Sequence, residues 1–478
     1  MPRLVMGPFN RVEGDLEVTL DVADGAVRAA HVNSPLHRGI ETILVGRPPT
    51  DALVYAPRIC GICSVSQSMA ASLALRALAG GTPPPNGTLC ANLTLAIENL
   101  ADHLSHFYLF FMPDFVRPVY ASRPWHARVA ARFRAVHGEA SVEALAARGR
   151  LLECMGVLAG RWPHTLAIQP GGSTRAISAA EKIRLGTLLL ECRRFLERVL
   201  FAEPLEAVVA LSGEAALSAW RGERPRGDFG LFLDIADDLS LHALGRATDA
   251  FLSYGSFPGD DGPWLPRGVW QGAPRPMDPS AITEDVSHAW LEGATAHPSE
   301  GMTRPNADKA SGYTWCKAPR LDGQVVEAGA LARQVVDGLP LIRDAVGRTG
   351  GNVRNRVVAR IVECARLTMA MEAWVRALRP ADAFHEAVAL PDEGRAFGLT
   401  ESARGSLGHW IDVAGGRIRN YQIVSPTTWN FSPRDAAGTP GALEQALVGT
   451  PVPPDDPVPV AVQHVVRSFD PCMVCTVH

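Results

Sequence analysis

Two Cys-x-x-Cys pairs stand at opposite ends of this chain, Cys60 with Cys63 and Cys472 with Cys475. Two thiolates at this spacing can converge on one metal centre, and two pairs together supply four sulfur ligands. Zinc modules usually carry their pairs within a few tens of residues, whereas almost the whole chain separates these two. The spacing leaves structural zinc and a buried redox metal equally open, and it requires a fold that brings both chain ends to one central site.

The composition describes a globular chain with a large buried core. Of 478 residues, 47% are hydrophobic and 20% are charged, and the net charge of −4 offers no cationic surface for nucleic acid. No apolar run is long enough to span a bilayer, and the N-terminus lacks the core of a signal peptide. We therefore expect a cytoplasmic protein, or one held at a membrane through partner subunits. The remaining cysteines stand singly in apolar contexts, as core residues do: Cys90, Cys154, Cys192, Cys316 and Cys364.

The hydrophobic pattern predicts a mainly helical α+β chain. The second predicted helix is apolar on nearly all sides, which is typical of the centre of a bundle. Hairpins are predicted at 9–32 and 404–426 from alternating residues around Gly-containing turns. The stretch 221–350 is less regular, and 440–459 reads as a Pro-rich surface segment. We expect one domain over 1–478, a central bundle of long helices with peripheral β-hairpins. The helices are predicted at about 63–79, 89–112, 125–160, 176–203 and 352–378.

Further sequence blocks accompany the cysteine pairs, and they decide between structural zinc and a buried redox metal. Together with the two pairs, they resemble the large subunit of nickel–iron hydrogenases, in the same order along the whole chain. The resemblance therefore favours a nickel–iron centre over zinc. The blocks are Arg11-Val12-Glu13-Gly14, Arg38-Gly39-Ile40-Glu41, Asp102 to Tyr108, Pro163-His164, Tyr313 to Arg320, Arg404 to Trp410, Tyr421 to Asn430 and Asp470 to His478.

The resemblance implies a buried nickel–iron centre whose iron carries carbon monoxide and two cyanides. Cys60 and Cys472 would be terminal nickel ligands, and Cys63 and Cys475 would bridge nickel to iron. Soft thiolates suit both metals. The implied reaction is the heterolytic splitting of H2 into protons and electrons.

A proton path and a second metal follow from the same resemblance. Glu13 would take the proton after the Cys472 sulfur and start its path outward. The alternative interpretation of Glu13 is a structural one, a surface salt bridge with the neighbouring Arg11. A magnesium ion would be held by the Glu41 carboxylate, the Ile423 carbonyl and the His478 imidazole, completed by water, as a hard cation requires.

Side chains beyond the metal ligands are also assigned by the resemblance. Arg404 would lie over the open face of the metals as a fixed cation, in a geometry that lysine does not reproduce. Asp102 and Asp470 would hold its guanidinium. Pro426 and Thr427 would pack against a cyanide and donate a hydrogen bond to its nitrogen.

Several positions depart from the pattern of catalytic hydrogenases. Ile62 and Phe110 stand where smaller Val and Leu usually line the mouth of the gas channel, and Gln67 replaces a usual histidine. Asp15 and Ala403 replace a usual His and Pro. These departures resemble the H2-sensing branch, which signals to a histidine kinase. The alternative is a catalytic uptake hydrogenase that feeds electrons to respiration.

The partner and the remaining alternatives complete the prediction. The chain has no further cysteine set for iron–sulfur clusters, so we expect a small subunit that carries them, in a heterodimer or a dimer of heterodimers. His164 resembles the position that faces the nearest cluster. The related subunit of respiratory complex I has lost these cysteines, so that class is rejected. The remaining alternative without catalytic function is a structural protein stabilised by zinc.

Overall fold

Long helices dominate the computed structural model, which describes residues 3–223, 227–259, 261–454, 456 and 458–476. In the part of the chain it describes, no helix is long and apolar enough to cross a membrane. The helices are α1 (Ile40–Leu44), α2 (Ala52–Tyr55), α3 (Ser64–Ala79), α4 (Pro85–Ser105), α5 (His126–Phe133), α6 (Glu139–Ala159), α7 (Ala179–Phe195), α8 (Leu205–Val209), α9 (Glu214–Glu223), α10 (Asp228–Asp238), α11 (Ala330–Asp337), α12 (Pro340–Thr349), α13 (Val353–Ala377), α14 (Pro426–Asn430), α15 (Ala442–Leu447) and α16 (Val460–Ser468).

The central helices form where the hydrophobic pattern predicts them, with shifted ends. α4 begins at Pro85, whose ring suits the first turn of a helix. It ends at Ser105, where the chain widens into a π-helical turn over His106–Phe111, so the predicted end at 112 is wrong. The predicted helix over 352–378 is confirmed as α13, and the Asn352 side chain caps it by accepting the Asn355 N–H.

One predicted helical stretch, 125–160, is divided into α5 and α6. The break falls at Gly138, where an added Cβ would lie 2.6 Å from the Arg132 carbonyl oxygen, so the two helices approach too closely for a side chain. The stretch predicted at 176–203 is α7 followed by a π-helical turn over Leu196–Leu200. α4 packs against α6 and α13, and α7 packs against the same two helices, which makes the expected bundle.

Among the strands of the described residues, every pairing is antiparallel except that of β11 with β6. Both predicted hairpins form, and each gains a third strand, in the orders β1-β2-β3 and β12-β13-β14. The second sheet is buried against α3 and is therefore not peripheral. The strands are β1 (Arg3–Met6), β2 (Glu17–Ala23), β3 (Ala26–Asn33), β4 (Ile168–Gln169), β5 (Gly172–Ser173), β6 (Phe251–Ser256), β7 (Leu265–Trp270), β8 (Pro274–Arg275), β9 (Ile282–Asp285), β10 (Ala318–Leu321), β11 (Glu327–Ala328), β12 (Gly394–Ser402), β13 (Gly405–Ala414) and β14 (Arg417–Val424).

Two stretches are more regular than the sequence indicates. Strands β6 to β11 and helices α10 to α12 occupy 221–350. The Pro-rich segment 440–459 contains α15, whose apolar face is fully buried, so this part is not surface. Proline marks where backbone hydrogen bonding stops, and it does not report whether the residues between two prolines are buried.

The chain ends meet through backbone hydrogen bonds. Glu13 forms a parallel bridge with Cys472, in which the Met473 N–H donates to the Glu13 carbonyl at 2.7 Å. The C-terminal turn is a short 3-10 helix, Met473–Cys475. Behind it, the Ser34 and Thr476 hydroxyls share a 3.0 Å hydrogen bond. These contacts fix the second cysteine pair, whose sulfurs lie beside those of the first pair at the start of α3.

Candidate metal centre

Four cysteine sulfurs converge at one buried point. Their Sγ atoms all lie within 4.8 Å of one another. Individual separations are 3.3 Å for Cys63 and Cys475, 3.0 Å for Cys472 and Cys475, and 3.5 Å for Cys472 and Cys60. Unbonded thiolates at such distances repel unless a cation lies among them, so the donor set fits soft metals held by four sulfurs.

The first cysteine pair is positioned by the start of a helix. Cys60 follows a 3-10 turn, and its sulfur accepts the Ile62 N–H at 3.2 Å. Cys63 is the N-cap residue of α3, although its side chain makes no capping bond. The orientation of the Cys63 sulfur therefore depends on how the first turn of α3 is anchored.

A buried glutamate supplies that anchor, and sequence reasoning missed it. Glu98 of α4 accepts the Val65 and Ser66 backbone N–H groups, both at 2.8 Å, and the Ser66 hydroxyl at 2.8 Å. It also accepts the Trp162 indole N–H at 3.1 Å. Burial raises the pKa of Glu98 to about 7. A carboxylate in a helix that is apolar on all sides must have buried partners, and this was the available signal.

Arg404 lies beside the thiols between two carboxylates. Its Nη2 donates to Asp102 Oδ1 at 3.0 Å and to Asp470 Oδ1 at 3.2 Å, and its Nε donates to the Asp470 carbonyl at 3.0 Å. Burial alone would lower the pKa of Arg404, but the two carboxylates raise it well above its usual value. Burial raises the pKa of Asp102 to about 8. The two carboxylates predicted to hold Arg404 are therefore in contact with it.

One atom of this guanidinium fits a group that is absent from the protein chain itself. Arg404 Nη1 is buried and has no acceptor among the described residues. An unpaired buried donor is costly, so it indicates a ligand at that position. Cyanide nitrogen on a metal beside the thiols would accept this bond. The residues present thus fit a nickel–iron centre with such ligands.

A second arginine extends the cluster away from the thiols. Arg360 donates to Asp470 Oδ2 at 3.3 Å and to the Phe469 carbonyl at 3.0 Å. Arg360 lies on a buried face of α13, from which a cation is normally excluded. A charged residue within this apolar helical pattern was the signal that sequence reasoning did not use. Because Phe469 and Asp470 come just before Cys472, these bonds fix the segment that leads to the second cysteine pair against α13.

Pro426 and Thr427 form the first turn of α14, with Ser425 as N-cap. Thr427 Oγ1 accepts the Cys472 backbone N–H at 3.1 Å. Because this bond uses a lone pair of the hydroxyl oxygen, the hydroxyl hydrogen remains to be donated. The geometry places this hydrogen-bond donor beside the second cysteine pair, as the cyanide assignment requires.

Glu13 lies at the outer side of the centre. Its backbone is paired with Cys472, and its side chain is half-buried. Burial and the nearby Cys60 sulfur raise the pKa of Glu13 above its usual value. Arg11, the partner in the bland alternative, instead donates to Asp114 and to the Phe110 carbonyl. The predicted surface salt bridge between Glu13 and Arg11 is therefore not formed.

The three residues predicted to form a gas channel lie in different settings. Ile62 is half-buried between the two cysteines of the first pair. Phe110 is half-buried in the π-helical turn after α4. Gln67 is buried in the first turn of α3, and its Nε2 lies 4.0 Å from Cys475 Sγ. Gln67 is thus in contact with a thiol, and the narrowing of a channel by Ile62 and Phe110 stays a prediction.

An oxygen-rich pocket lies at the predicted magnesium site. Glu41 is buried and its Oε1 accepts the Ile423 N–H at 2.8 Å. Glu41 and Glu284 also border a cavity of about 10 Å³, with the Lys317 ammonium 3.1 Å from Glu41 Oε2. Burial raises the pKa of Glu284 to about 7, and a cation beside its carboxylate would favour the ionised form. Carboxylate oxygens are the ligand type that a small hard cation prefers. His478, the third predicted ligand, lies outside the described residues.

The predicted contact point for a partner also lies near the thiols. His164 is half-buried, and its backbone N–H donates to the Ser64 hydroxyl at 3.4 Å. Its ring Nδ1 lies 3.0 Å from the Pro57 carbonyl oxygen. The loop that carries His164 is therefore joined to both flanks of the first cysteine pair.

Comparison with known proteins places the whole chain beside one group. The family described as "Nickel-dependent hydrogenase" matches residues 38–141 and 233–478. The large subunit of the periplasmic [NiFeSe] hydrogenase of Desulfomicrobium baculatum is 30% identical over 514 residues, covering 100% of this chain and 95% of that protein. The uptake hydrogenase large subunit of Rhodobacter capsulatus is 26% identical, with 100% and 95% covered.

Solved structures agree with these sequence relatives. The Ni-Fe-Se hydrogenase of D. vulgaris Hildenborough in the reduced state superposes with a TM-score of 0.86 at 30% identity, covering 100% of both chains. The [NiFeSe] hydrogenase of Dm. baculatum superposes with a TM-score of 0.86 at 29% identity, again covering 100% of both chains. The predicted α+β fold class is therefore confirmed.

Proposed function

Because this chain belongs to the nickel-dependent hydrogenase family, as the large subunit of a nickel–iron hydrogenase, we propose that it splits H2 at its four-thiol centre and serves as an H2 sensor. The observation that carries the proposal of the centre is the convergence of four buried sulfurs within 4.8 Å. Arg404, with its unpartnered Nη1, stands beside them. The metals would bind the four sulfurs, and a ligand of the metals would accept the hydrogen bond of Arg404 Nη1.

The four cysteines would hold the group by the division that the family pattern implies. Cys60 and Cys472 would bind nickel as terminal ligands, and Cys63 and Cys475 would bridge nickel to iron. When bound, a nickel–iron centre with carbon monoxide and two cyanides supplies the Lewis acidity that polarises H2 and the redox capacity that takes its electrons. Four thiolates in a buried site supply negative charge, which the Arg404 guanidinium partly balances.

Proton removal is assigned to residues at the outer edge of the centre. We propose that the Cys472 sulfur accepts the proton first and that the Glu13 carboxylate carries it toward solvent. The backbone bridge that joins the two residues, and the half-buried Glu13 side chain beside it, support this order. A general base must lie within hydrogen-bond reach of the proton it takes, directly or through one water.

Orientation of the diatomic ligands is assigned to the side chains around them. Arg404 Nη1 and the Thr427 hydroxyl would donate to the cyanides, and Pro426 would pack against one of them. Asp102 and Asp470 hold the guanidinium by direct hydrogen bonds, so the donor needs no reorganisation when the centre is assembled. A magnesium ion would be held by Glu41, the Ile423 carbonyl and His478.

The sensor assignment rests on the residues of the predicted gas channel. Ile62 and Phe110 are larger than the usual Val and Leu, and larger side chains narrow a path for oxygen more than for H2. The competing function, uptake hydrogenase, is favoured by relatives that carry that name. The Ile62→Val, Phe110→Leu double variant of the assembled complex should make H2 oxidation oxygen-sensitive. An unchanged oxygen response would remove the channel argument.

Partners follow from electron balance. Electrons released at a buried centre must leave through redox groups, and the chain has no further paired cysteines for iron–sulfur clusters. We propose a small subunit that carries them and docks near His164, with a histidine kinase as the signalling partner and the cytoplasm as the compartment. The lone chain should then fail to reduce a redox dye, whereas the complex should reduce it.

Metal content and infrared spectra of the purified complex test the central proposal. Nickel, together with iron in excess of nickel because the clusters of the small subunit also hold iron, is the expected metal content, and carbon monoxide and cyanide stretching bands are the expected spectrum. Zinc in place of nickel, with no such bands, would overturn the assignment of the thiols. Slow turnover that persists in oxygen supports the sensor, whereas rapid turnover that oxygen stops supports the uptake enzyme.

A further inference from the structure

We propose that His409 and Tyr421 are positioning residues that fix the Gln67 side-chain amide with its N–H group toward the Cys475 sulfur. The inference deepens the proposed function and rests on it, because Cys475 is there a ligand of the metals. Gln67 then acts as a tuning contact to a bridging thiolate.

Three buried side chains form the relay from the sulfur outward. Gln67 Nε2 lies 4.0 Å from Cys475 Sγ, and Gln67 Oε1 lies 2.8 Å from His409 Nε2. His409 Nδ1 lies 2.7 Å from the Tyr421 hydroxyl oxygen. Each of the four side chains belongs to a residue that is at most 2% exposed. In so dry an environment hydrogen bonds are strong and an unmade bond is costly.

Sheet register explains why these residues meet. His409 pairs with Ile423 across β13 and β14, so Tyr421 is its diagonal neighbour on the same face of the sheet. Diagonal neighbours lie within reach of long side chains. The first turn of α3 packs on this sheet and places Gln67 over His409. The contacts therefore come from three separate elements, and they form only in the folded chain.

Chemistry selects the polarity of the relay. A metal-bound thiolate sulfur carries negative charge and accepts hydrogen bonds, so the Gln67 amide must present N–H to Cys475 and its oxygen to His409. His409 Nε2 must then carry the proton and donate, which leaves Nδ1 as an acceptor. Tyr421 therefore donates its hydroxyl hydrogen to Nδ1. In the neutral ring, a proton on Nδ1 in place of Nε2 would turn the Gln67 oxygen toward the sulfur and create repulsion.

The relay has a measurable consequence at the metals. A hydrogen bond to a bridging thiolate withdraws electron density from it, and the iron then returns less density to its carbon monoxide and cyanides. Loss of the bond should lower their stretching frequencies. The contact is thus visible in infrared spectra without reference to turnover.

Tyr421→Phe in the assembled complex is the first test, since it removes one hydroxyl and keeps the ring. We expect the carbon monoxide and cyanide bands to move to lower frequency. Tyr108→Phe is the matched control, because the Tyr108 hydroxyl also donates to a buried partner, Asp228 Oδ2 at 2.9 Å, outside the relay. Its bands should equal those of the wild type. Unshifted bands in Tyr421→Phe, with nickel bound, would overturn the proposal.

Substitutions of the amide itself give an independent reading. Gln67→Glu removes the N–H donor at nearly constant shape and should lower the frequencies at least as much as Tyr421→Phe does. Gln67→His restores a ring N–H toward the sulfur and should keep them near the wild-type values. If Gln67→Glu and Gln67→His give the same bands, the donor to Cys475 is not what sets them, and the inference fails.

A measurement on the wild-type complex tests the relay even if the variants fail to assemble. The ¹⁵N shifts of the His409 side chain report which ring nitrogen carries the proton. Protonated Nε2 with bare Nδ1 supports the relay, and bare Nε2 with protonated Nδ1 overturns it. Failure of the proposed function itself looks different, because the wild-type complex would then show no carbon monoxide or cyanide bands at all.

Discussion

Glu98→Gln should loosen the first turn of α3 and with it the Cys63 ligand. Glu98 Oε1 accepts the Ser66 N–H and hydroxyl, while Oε2 accepts the Val65 and Trp162 N–H groups. A glutamine retains one oxygen, so its NH2 group must face at least one buried backbone N–H. The substitution should therefore act locally, at the helix start, before it affects the bundle.

The magnitude follows from these bonds. One buried backbone donor left without an acceptor costs about 2 kcal/mol, and loss of charge from the retained bonds adds about 1 kcal/mol. A local opening free energy lower by about 3 kcal/mol corresponds to roughly 100-fold faster exchange of the amide hydrogens. The affected amides are those of Val65 and Ser66.

Hydrogen–deuterium exchange of the peptide that contains Val65 and Ser66 is the assay. At pH 8, above the pKa of about 7 to which burial raises Glu98, the wild-type carboxylate is ionised and offers both oxygens as acceptors, so wild type and variant are compared there. Nickel content per chain should fall in parallel.

Glu444→Gln is the matched control. Glu444 is equally buried, accepts the Val32 N–H at 3.1 Å, and has a pKa that burial raises to about 7. It should speed exchange at Val32 and leave Val65 and Ser66 unchanged. Equal exchange of Val65 and Ser66 in wild type and Glu98→Gln at pH 8 would refute the reasoning.

Three further changes have defined outcomes. Arg404→Lys keeps a cation but cannot span Asp102 and Asp470, so H2 oxidation should fall at least about 10-fold with nickel retained; full activity would contradict the assigned role. Cys63→Ser should abolish nickel and iron binding, as metal analysis of the purified chain would report; retention of both metals would exclude Cys63 as a ligand. Burial lowers the pKa of His464 from 6.5 to about 4, so the unfolded chain binds this proton first as pH falls. From pH 7 to pH 5 the unfolding free energy should lose about 2 kcal/mol in urea titrations, and His464→Gln should remove that part of the slope.

Local patterns predicted the elements that depend on neighbouring residues. The helix at 353–377 follows from its apolar periodicity and an Asn352 cap, and both hairpins follow from alternation around glycine turns. The π-helical turn after Ser105 was not predictable in this way, because the sequence around it continues the helical pattern. Helix α15 was missed since prolines on both sides obscured a short buried run.

The sequence by itself determined that two distant cysteine pairs must share a site, and the surrounding blocks identified its kind. Only the tertiary structure decided which buried polar atoms meet there. Glu98 with Val65 and His409 with Gln67 are separated by 33 and 342 positions in the chain. A residue pattern records which faces avoid water, because burial of apolar surface depends on each side chain alone. A buried hydrogen bond depends on two atoms brought within about 3 Å by packing, and no local pattern encodes that distance.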